Sequence, residues 1–457
     1  MDTTLEPPFP TEIWEHIFRN CPLPDLKRFR LVCHRWNAIV TGCPALWRRF
    51  HVRFWPRTKA LSPTVLPVVK QASFECNVEA VSSWWPRFAG KLEELAFDAG
   101  DVSITALFGM LKHCPNLKRL RLSGVWFTDG EVDYDFSLHF VEELSICDIY
   151  LNEIELPSLL TSILPCLKKF SLSYVDHWQG TFAINCWTYF IHDVQDTLQS
   201  LELPSDFFLV RKLCQMNQLQ LKHVHLSTDC SPQPWDMELW ITFCRSQQSL
   251  QDLILSGAYT TNEILCVAVQ NLPNLKRLRS GLTCSRQIVP TFLNSPTTLQ
   301  KASICGFSAN LQFRSWLSPT LTELKLMCVA IGDGIQYLIS SPNLVNLSLV
   351  NCDLSGCRVP KGNLSVLRHL KLSSGQISPE MLAYMLSCHP QLETAGFFNM
   401  ESVDRDALVK LLCASRKLRA IRLYKCPRAG SAVEIMQDYF GALNLGEGSR
   451  EVRFRIS

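Results

Sequence analysis

The sequence predicts the α/β class: a small all-α module, then a solenoid with a curved parallel sheet inside and helices outside. Two observations carry that expectation. From about residue 69 a short apolar phrase restates itself at a near-constant period, while residues 7–50 hold an apolar pattern of helical spacing that stays out of the period. A chain of 457 residues with 47% hydrophobic and 19% charged side chains can bury a sizeable core. Its 45 basic and 42 acidic residues leave a net charge of +3, which gives no whole-chain reason to expect nucleic acid as the partner.

Three helices are expected in residues 7–50. They are Thr11 to Arg19, capped by Thr11 behind Pro10 and closed near Pro22; Asp25 to about Val40, with a break near Cys33; and Ala45 to Phe50 after Pro44. Apolar residues fill 21 of these 44 positions. A module this small rarely closes a core by itself, and that much apolar surface implies a partner that completes it. Residues 51–68 read as a linker into the repeats. The basic run Arg48, Arg49, Arg53, Arg57 and Lys59 has the composition of a nuclear or nucleic-acid patch. Interleaved with Phe50, Phe54 and Trp55, it is expected instead to cover the joint between module and repeats.

The repeated phrase is apolar, two variable residues, apolar, one variable, apolar. Fourteen clear copies run from Leu92-Leu95-Phe97 through Leu117-Leu120-Leu122 to Leu418-Ile421-Leu423, with a weaker first copy at Val69-Ala72-Phe74. Their openings lie on average about 25 residues apart, inside the leucine-rich-repeat window. Alternate residues of each phrase point into a shared core and those between face out, as strand geometry requires. Between strands the apolar spacing turns helical, as at Ile104-Leu107-Phe108-Leu111 and Met381-Leu382-Met385-Leu386. No single unit buries its own face. Residues 69–457 are therefore expected as one array of about fifteen repeats with a C-terminal cap.

The 20 cysteines follow the same register: Cys305, Cys328 and Cys352 fall just beyond strands, and Cys114, Cys388 and Cys413 close helices. This resembles the cysteine-containing subtype of leucine-rich repeat, in which a small thiol fills a slot in the ladder. Without paired cysteine spacing, neither a metal nor any other cofactor is expected. Two intervals are long. The first holds Tyr174, Trp178, Phe182, Trp187, Tyr189 and Phe190, and the second holds Trp235 and Trp240. Each reads either as a functional loop or as aromatic packing of a longer helix on the convex side.

One resemblance rests on the module's residues. Phe9-Pro10-Thr11-Glu12-Ile13, Ile17-Phe18, Leu23-Pro24-Asp25-Leu26, Arg30-Leu31-Val32-Cys33, Trp36-Asn37 and Leu46-Trp47 resemble an F-box over essentially its whole length, with Phe9 where the family usually has leucine. The resemblance implies binding to the Skp adaptor subunit of an SCF-type cullin–RING ubiquitin ligase, with the repeats selecting a protein substrate. It implies adaptor contacts at Pro10, Ile13, Ile17, Phe18, Leu23, Leu26, Leu31, Val32, Trp36, Leu46 and Trp47. Trp36 and Leu46 are divided equally between that role and the module's own core. The alternative is a non-ligase scaffold or inhibitor that clamps one partner through its repeats.

No phosphate loop, His-Glu-x-x-His or serine elbow is present, so the chain is expected to be non-catalytic. Cys33-His34 and Cys388-His389 could be nominated as nucleophile and base, but neighbours in sequence point apart on a helix or strand. At outward strand positions nine basic residues, Arg119, Arg121, Lys169, Arg277, Arg279, Lys301, Lys325, Lys371 and Arg422, face five acidic ones. All but Lys169 are expected to bind substrate. Arg277, Arg279, Lys301 and Lys325 form the expected patch for an acidic or phosphorylated segment.

The start of the chain has no basic segment before an apolar run, and Gly334 to Cys352 holds too many polar groups for a bilayer span. Cytoplasmic or nuclear placement, with no membrane contact, is expected.

Overall fold

The computed structural model describes residues 9–56, 68–128, 132, 135–151, 156–173, 181–204, 207–227, 236–256, 260–283, 287–294, 297–332, 335–359, 366–430, 434–435 and 453–456. Two compact units divide the chain, Met1–Leu203 and Pro204–Ser457.

The first unit opens with four helices, α1 (Thr11–Asn20), α2 (Leu23–Phe29), α3 (His34–Gly42) and α4 (Pro44–Trp47). Pro10, not Thr11, stands at the N-cap of α1 and makes no side-chain cap bond, so Thr11 is the first helical residue. The expected long second helix is two helices, because Arg30 to Cys33 turn the chain between α2 and α3. The Cys33 thiol then accepts the Trp36 amide at 3.4 Å. Arg49 anchors the end of α1, where the last carbonyls have no partner within the helix. Its guanidinium donates to the carbonyls of Phe18, Arg19 and Cys21 at 3.2, 2.9 and 2.7 Å.

The rest of the unit is a succession of strands with helices between some of them. They are β1 (His51–Phe54), β2 (Gln71–Glu75), α5 (Trp85–Ala89), β3 (Glu94–Ser103), α6 (Ile104–Leu111), β4 (Arg119–Ser123), β5 (Val125–Thr128), β6 (Glu143–Cys147), β7 (Tyr150–Leu151), α7 (Leu156–Ile163), β8 (Lys169–Ser173), α8 (Thr181–Asp193) and β9 (Ser200–Pro204). Strands β1, β2, β3, β4, β6, β8 and β9 pair in that order, all parallel. A second short parallel ladder joins β3, β5 and β7. Strand β1 falls where a linker was expected. Its Phe54 stacks on Phe74 of β2 at 4.6 Å, and the Arg53 guanidinium lies 3.8 Å from Glu75. Arg49 thus acts inside the module and Arg53 between β1 and β2, while Arg57 and Lys59 lie outside the described residues.

The second unit runs α9 (Phe207–Leu213), β10 (His223–Ser227), α10 (Met237–Ser246), β11 (Asp252–Ser256), α11 (Asn262–Asn271), β12 (Arg277–Thr283), β13 (Gln287–Ile288), β14 (Lys301–Leu311), β15 (Glu323–Ile331), α12 (Ile335–Ile339), β16 (Asn346–Val350), β17 (His369–Ser373), α13 (Pro379–Ser387), β18 (Thr394–Phe398), α14 (Arg405–Ala414), β19 (Ala420–Tyr424) and β20 (Arg453–Ile456). From β10 to β20 the strands pair in sequence order, all parallel, with β13 attached only to β14.

Register explains the core. Leu253, Leu278, Ala302, Leu324, Leu347, Leu370, Ala395 and Ile421 lie opposite one another across eight strands, and every one is buried. Repeats of equal length stack like on like, so each apolar row is continuous. The helices are fastened locally: Asp236, Thr261, Ser378 and Asp404 cap α10, α11, α13 and α14 through side-chain oxygens that accept first-turn amides. Left-handed residues also recur just past strand ends, at Gly124, Asp148, Asn351, Ser374, Asn399 and Lys425.

The cysteine ladder divides. Cys352 is buried and its thiol donates to Leu326 O at 3.4 Å, but Cys305 and Cys328 lie within β14 and β15 and are only half-buried. Cys305 is in register with Met327, one place off from Cys328, so near-equal sequence spacing did not mean an equal slot. Cys114 and Cys388 are buried at helix ends, while Cys413 is exposed. Of the aromatic insertions, Trp187, Phe190 and Trp240 pack inward, the first two against Phe170 at 5.5 and 5.0 Å. Tyr174, Trp178 and Trp235, and the side chain of Phe182, lie outside the described residues.

Candidate protein-interaction surfaces

In the helical module, Phe18, Leu26, Ile39, Val40, Cys43 and Leu46 form the core, and Trp14, Leu23, Phe29 and Trp36 pack half-buried against it. The Trp14 and Trp36 rings lie 4.7 Å apart, and Phe18 lies 5.2 Å from Trp36. Of the residues expected to meet an adaptor, Phe18, Leu26 and Leu46 are therefore interior, with at most 1% of their surface exposed. Their size builds the module and leaves nothing to offer a partner. Pro10, Ile13, Ile17, Leu31 and Val32 are exposed, Leu31 at 86% and Val32 at 60%. The side chain of Trp47 lies outside what the structure describes. Leu31 and Val32 sit in the turn before α3, and Ile13 and Ile17 stand one helical turn apart on α1. Phe9, quoted in the F-box resemblance but left out of the expected contacts, is also exposed, at 48%, and its carbonyl accepts from Arg35 Nη2 at 3.0 Å. Its proximity to Pro10 was the available signal.

On the outward strand positions of the first unit, charges alternate across strands and pair sideways. Glu94 pairs with Arg119 at 2.6 Å and Glu143 with Lys169 at 2.5 Å, while Arg121 lies 3.0 Å from Asp98. Glu94 thereby keeps the Arg119 guanidinium above its ordinary pKa. Arg119 and Arg121 were expected to meet substrate, but each is engaged by a carboxylate of the neighbouring strand.

The second unit begins the same way and then departs. Asp252 bridges His223 and Arg277, and Glu323 holds Lys301 at 2.7 Å. Two members of the expected patch, Arg277 and Lys301, are thus neutralised. Arg279, Lys325, Lys371 and Arg422 have no carboxylate at ion-pairing distance among the described residues. Lys371 instead places its ammonium 4.5 Å from the centre of the Phe398 ring, a contact that keeps its charge. Lys325, Lys371 and Arg422 line a groove of about 550 Å³, with Ser348, Gly396 and Phe398 between them. The basic surface therefore lies further toward β19 than the sequence placed it.

Cys388 and His389 meet more closely than sequence neighbours were expected to, with Sγ 3.5 Å from Nε2. Burial pushes the thiol up to about 12 and the imidazole down to about 4. Both stay neutral at pH 7, whereas a nucleophile needs the thiolate. Burial likewise raises the Cys114 thiol to about 12 and the Cys352 thiol to about 11. Among the described residues no group of three or more His, Cys, Asp and Glu side chains is placed to hold a metal ion, and no helix is long and apolar enough to cross a membrane.

Residues 9–53 match the F-box-like domain family. The N-terminal module is an F-box-like domain, carried on a leucine-rich-repeat fold. Among solved structures, the chain is similar to TLR13 in its complex with ssRNA13, at 15% identity over 84% of this chain and 53% of that one, with a TM-score of 0.50. The chain thus spans about half of that protein's length, and the likeness is one of fold. Weaker likenesses are to the yeast Rad7 and Elc1 complex, at 14% identity over 92% and 90% of the two chains and a TM-score of 0.35, and to a leucine-rich-repeat protein of Leptospira interrogans, at 14% over 90% and 91% and a TM-score of 0.38. Compared with curated proteins, the sequence returns no match.

Proposed function

We propose that this chain is the substrate-recognition subunit of an SCF-type cullin–RING ubiquitin ligase, acting in the cytoplasm or nucleus. The F-box binds the Skp adaptor subunit, the adaptor brings the cullin–RING scaffold, and the repeat surface binds a protein substrate that presents an acidic or phosphorylated segment. One observation carries the reading: Ile13, Ile17, Leu31 and Val32 stand exposed on a module whose core is already closed by Phe18, Leu26 and Leu46. Fully covering an exposed aliphatic side chain is worth roughly 1.5–3 kcal/mol, so Leu31 and Val32, with smaller shares from the half-covered Ile13 and Ile17, supply a firm apolar contact once a partner covers them. The transfer chemistry then belongs to the assembled ligase and not to this chain.

Purification of the whole chain from cells tests the reading against a scaffold that uses its F-box for another purpose. The cullin and the adaptor should both co-purify with the wild type. Recovery of the adaptor without the cullin would favour the scaffold.

A further inference from the structure

In the second unit, one register row at the outward positions of the sheet runs Ile254, Arg279, Ser303, Lys325, Ser348, Lys371, Gly396, Arg422 and Arg455. From Arg279 to Arg422 it alternates without exception between a cation and a small residue. Among the described residues these four cations have no carboxylate of a neighbouring strand at ion-pairing distance. The adjoining row shows that this is not a general property of the sheet. There Asp252 lies beside Arg277 and Lys301 beside Glu323, and each pair closes an ion pair.

From this row we infer that the groove binds an acidic peptide laid across the strands in a polyproline II conformation, with a carboxylate at every third residue. The inference deepens the reading of the repeats as the substrate-binding half and rests on it. Neighbouring strands lie about 4.8 Å apart, so cations on alternate strands recur about every 10 Å. A polyproline II helix rises about 3.1 Å per residue with three residues per turn, which puts residues i, i+3, i+6 and i+9 on one face about 9 Å apart. A β-strand of similar rise alternates its faces and could not aim every third side chain at the sheet.

The chemistry of the row selects carboxylates. A phosphate is held best where several donors converge on one dianion. Here each cation stands alone, separated from the next by Ser303, Ser348 or Gly396, which matches one single-charge group per cation. Single-stranded nucleic acid is held by a basic groove with aromatic platforms at successive bases. Among the described residues of this groove the one phenyl ring, Phe398, is already covered by Lys371, and Ser303, Ser348 and Gly396 between the cations provide no series of platforms.

The small residues also clear the path. A Cβ on Gly396 would stand 2.9 Å from the Phe398 ring, so the glycine allows that ring to fold over the strand and stand beside Lys371. Ser348 Oγ, between Lys325 and Lys371, makes no hydrogen bond within the described protein. A turn about χ1 lets it donate to an arriving carboxylate.

The test titrates the full-length protein with synthetic twelve-residue peptides built from glutamate and proline, in which glutamate recurs every second, third or fourth residue. Proline holds each peptide in polyproline II, and no adaptor or cullin is present, so the readout is independent of ligase assembly. The every-third peptide should bind about tenfold more tightly than the every-fourth peptide, and at least as much more tightly per charge than the every-second one. Binding should weaken with salt. Replacing Lys325 and Lys371 together by glutamine should remove the preference for the third-residue spacing, while Arg277→Gln should leave it intact. Affinity that follows total charge alone would overturn the spacing, and tighter binding of a single-stranded RNA or of a singly phosphorylated peptide would overturn the ligand class. The wild-type spacing series decides the matter even if the double variant folds poorly. Failure here with cullin still co-purifying would sink the ligand and leave the ligase role standing.

Discussion

His389 shows how burial decides chemistry one residue at a time. It is fully buried, with Cys388 beside it, and loss of water holds its imidazole near pKa 4 instead of 6.5. In the unfolded chain the imidazole takes up a proton below pH 6.5, but the folded one resists until about 4. Unfolding therefore binds a proton in that window, and stability falls as the pH falls. About 3 kcal/mol should be lost between pH 7 and pH 4 through this group. Chemical denaturation at both pH values should show that loss reduced by a similar amount in His389→Phe. An unchanged pH dependence in the variant would remove His389 as its source.

At the scale of elements, local signals and tertiary ones separate cleanly. The cap of α14 is local: Asp404 accepts the Ala407 amide at 2.7 Å, so Asp404→Ala should cost about 1 kcal/mol, read as a lower unfolding midpoint with the slope unchanged. Most strands were legible because their inward residues are spelled out as leucine at a fixed period. Strand β1 was not, since His51 to Phe54 lack the phrase and are recruited by pairing with β2 and by the stack of Phe54 on Phe74. The split of the second F-box helix was only half legible as a break near Cys33. Leu31 and Val32, expected within the second helix and as adaptor contacts, occupy the exposed turn between two helices. The sequence names which strands carry charge, but which charges pair depends on register between strands about 25 residues apart, and the expected inner-face charges left out Asp98, which holds Arg121. A single strand read alone carries no such information, and so the basic patch moved from Arg277 and Lys301 to Lys371 and Arg422.

At the scale of the whole molecule, two surfaces of opposite character are offered on one chain. The F-box presents aliphatic side chains over a closed core, and the repeat sheet presents a row of cations that no described carboxylate holds, over another. The proposal assigns the first to an adaptor and the second to a substrate, so a change at one should leave the other working. The most direct measurement is a titration of purified Skp adaptor against the wild-type chain, Leu31→Asp and Lys371→Gln. Leu31 is the most exposed of the aliphatic residues, and its replacement leaves the core of Phe18, Leu26 and Leu46 untouched. Placing a carboxylate in an apolar contact carries a desolvation penalty of several kcal/mol. Leu31→Asp should therefore lose adaptor binding by a hundredfold or more while melting at the wild-type temperature, and Lys371→Gln should bind the adaptor as the wild type does. Wild-type affinity in a folded Leu31→Asp protein, or no binding by the wild type itself, would contradict the account.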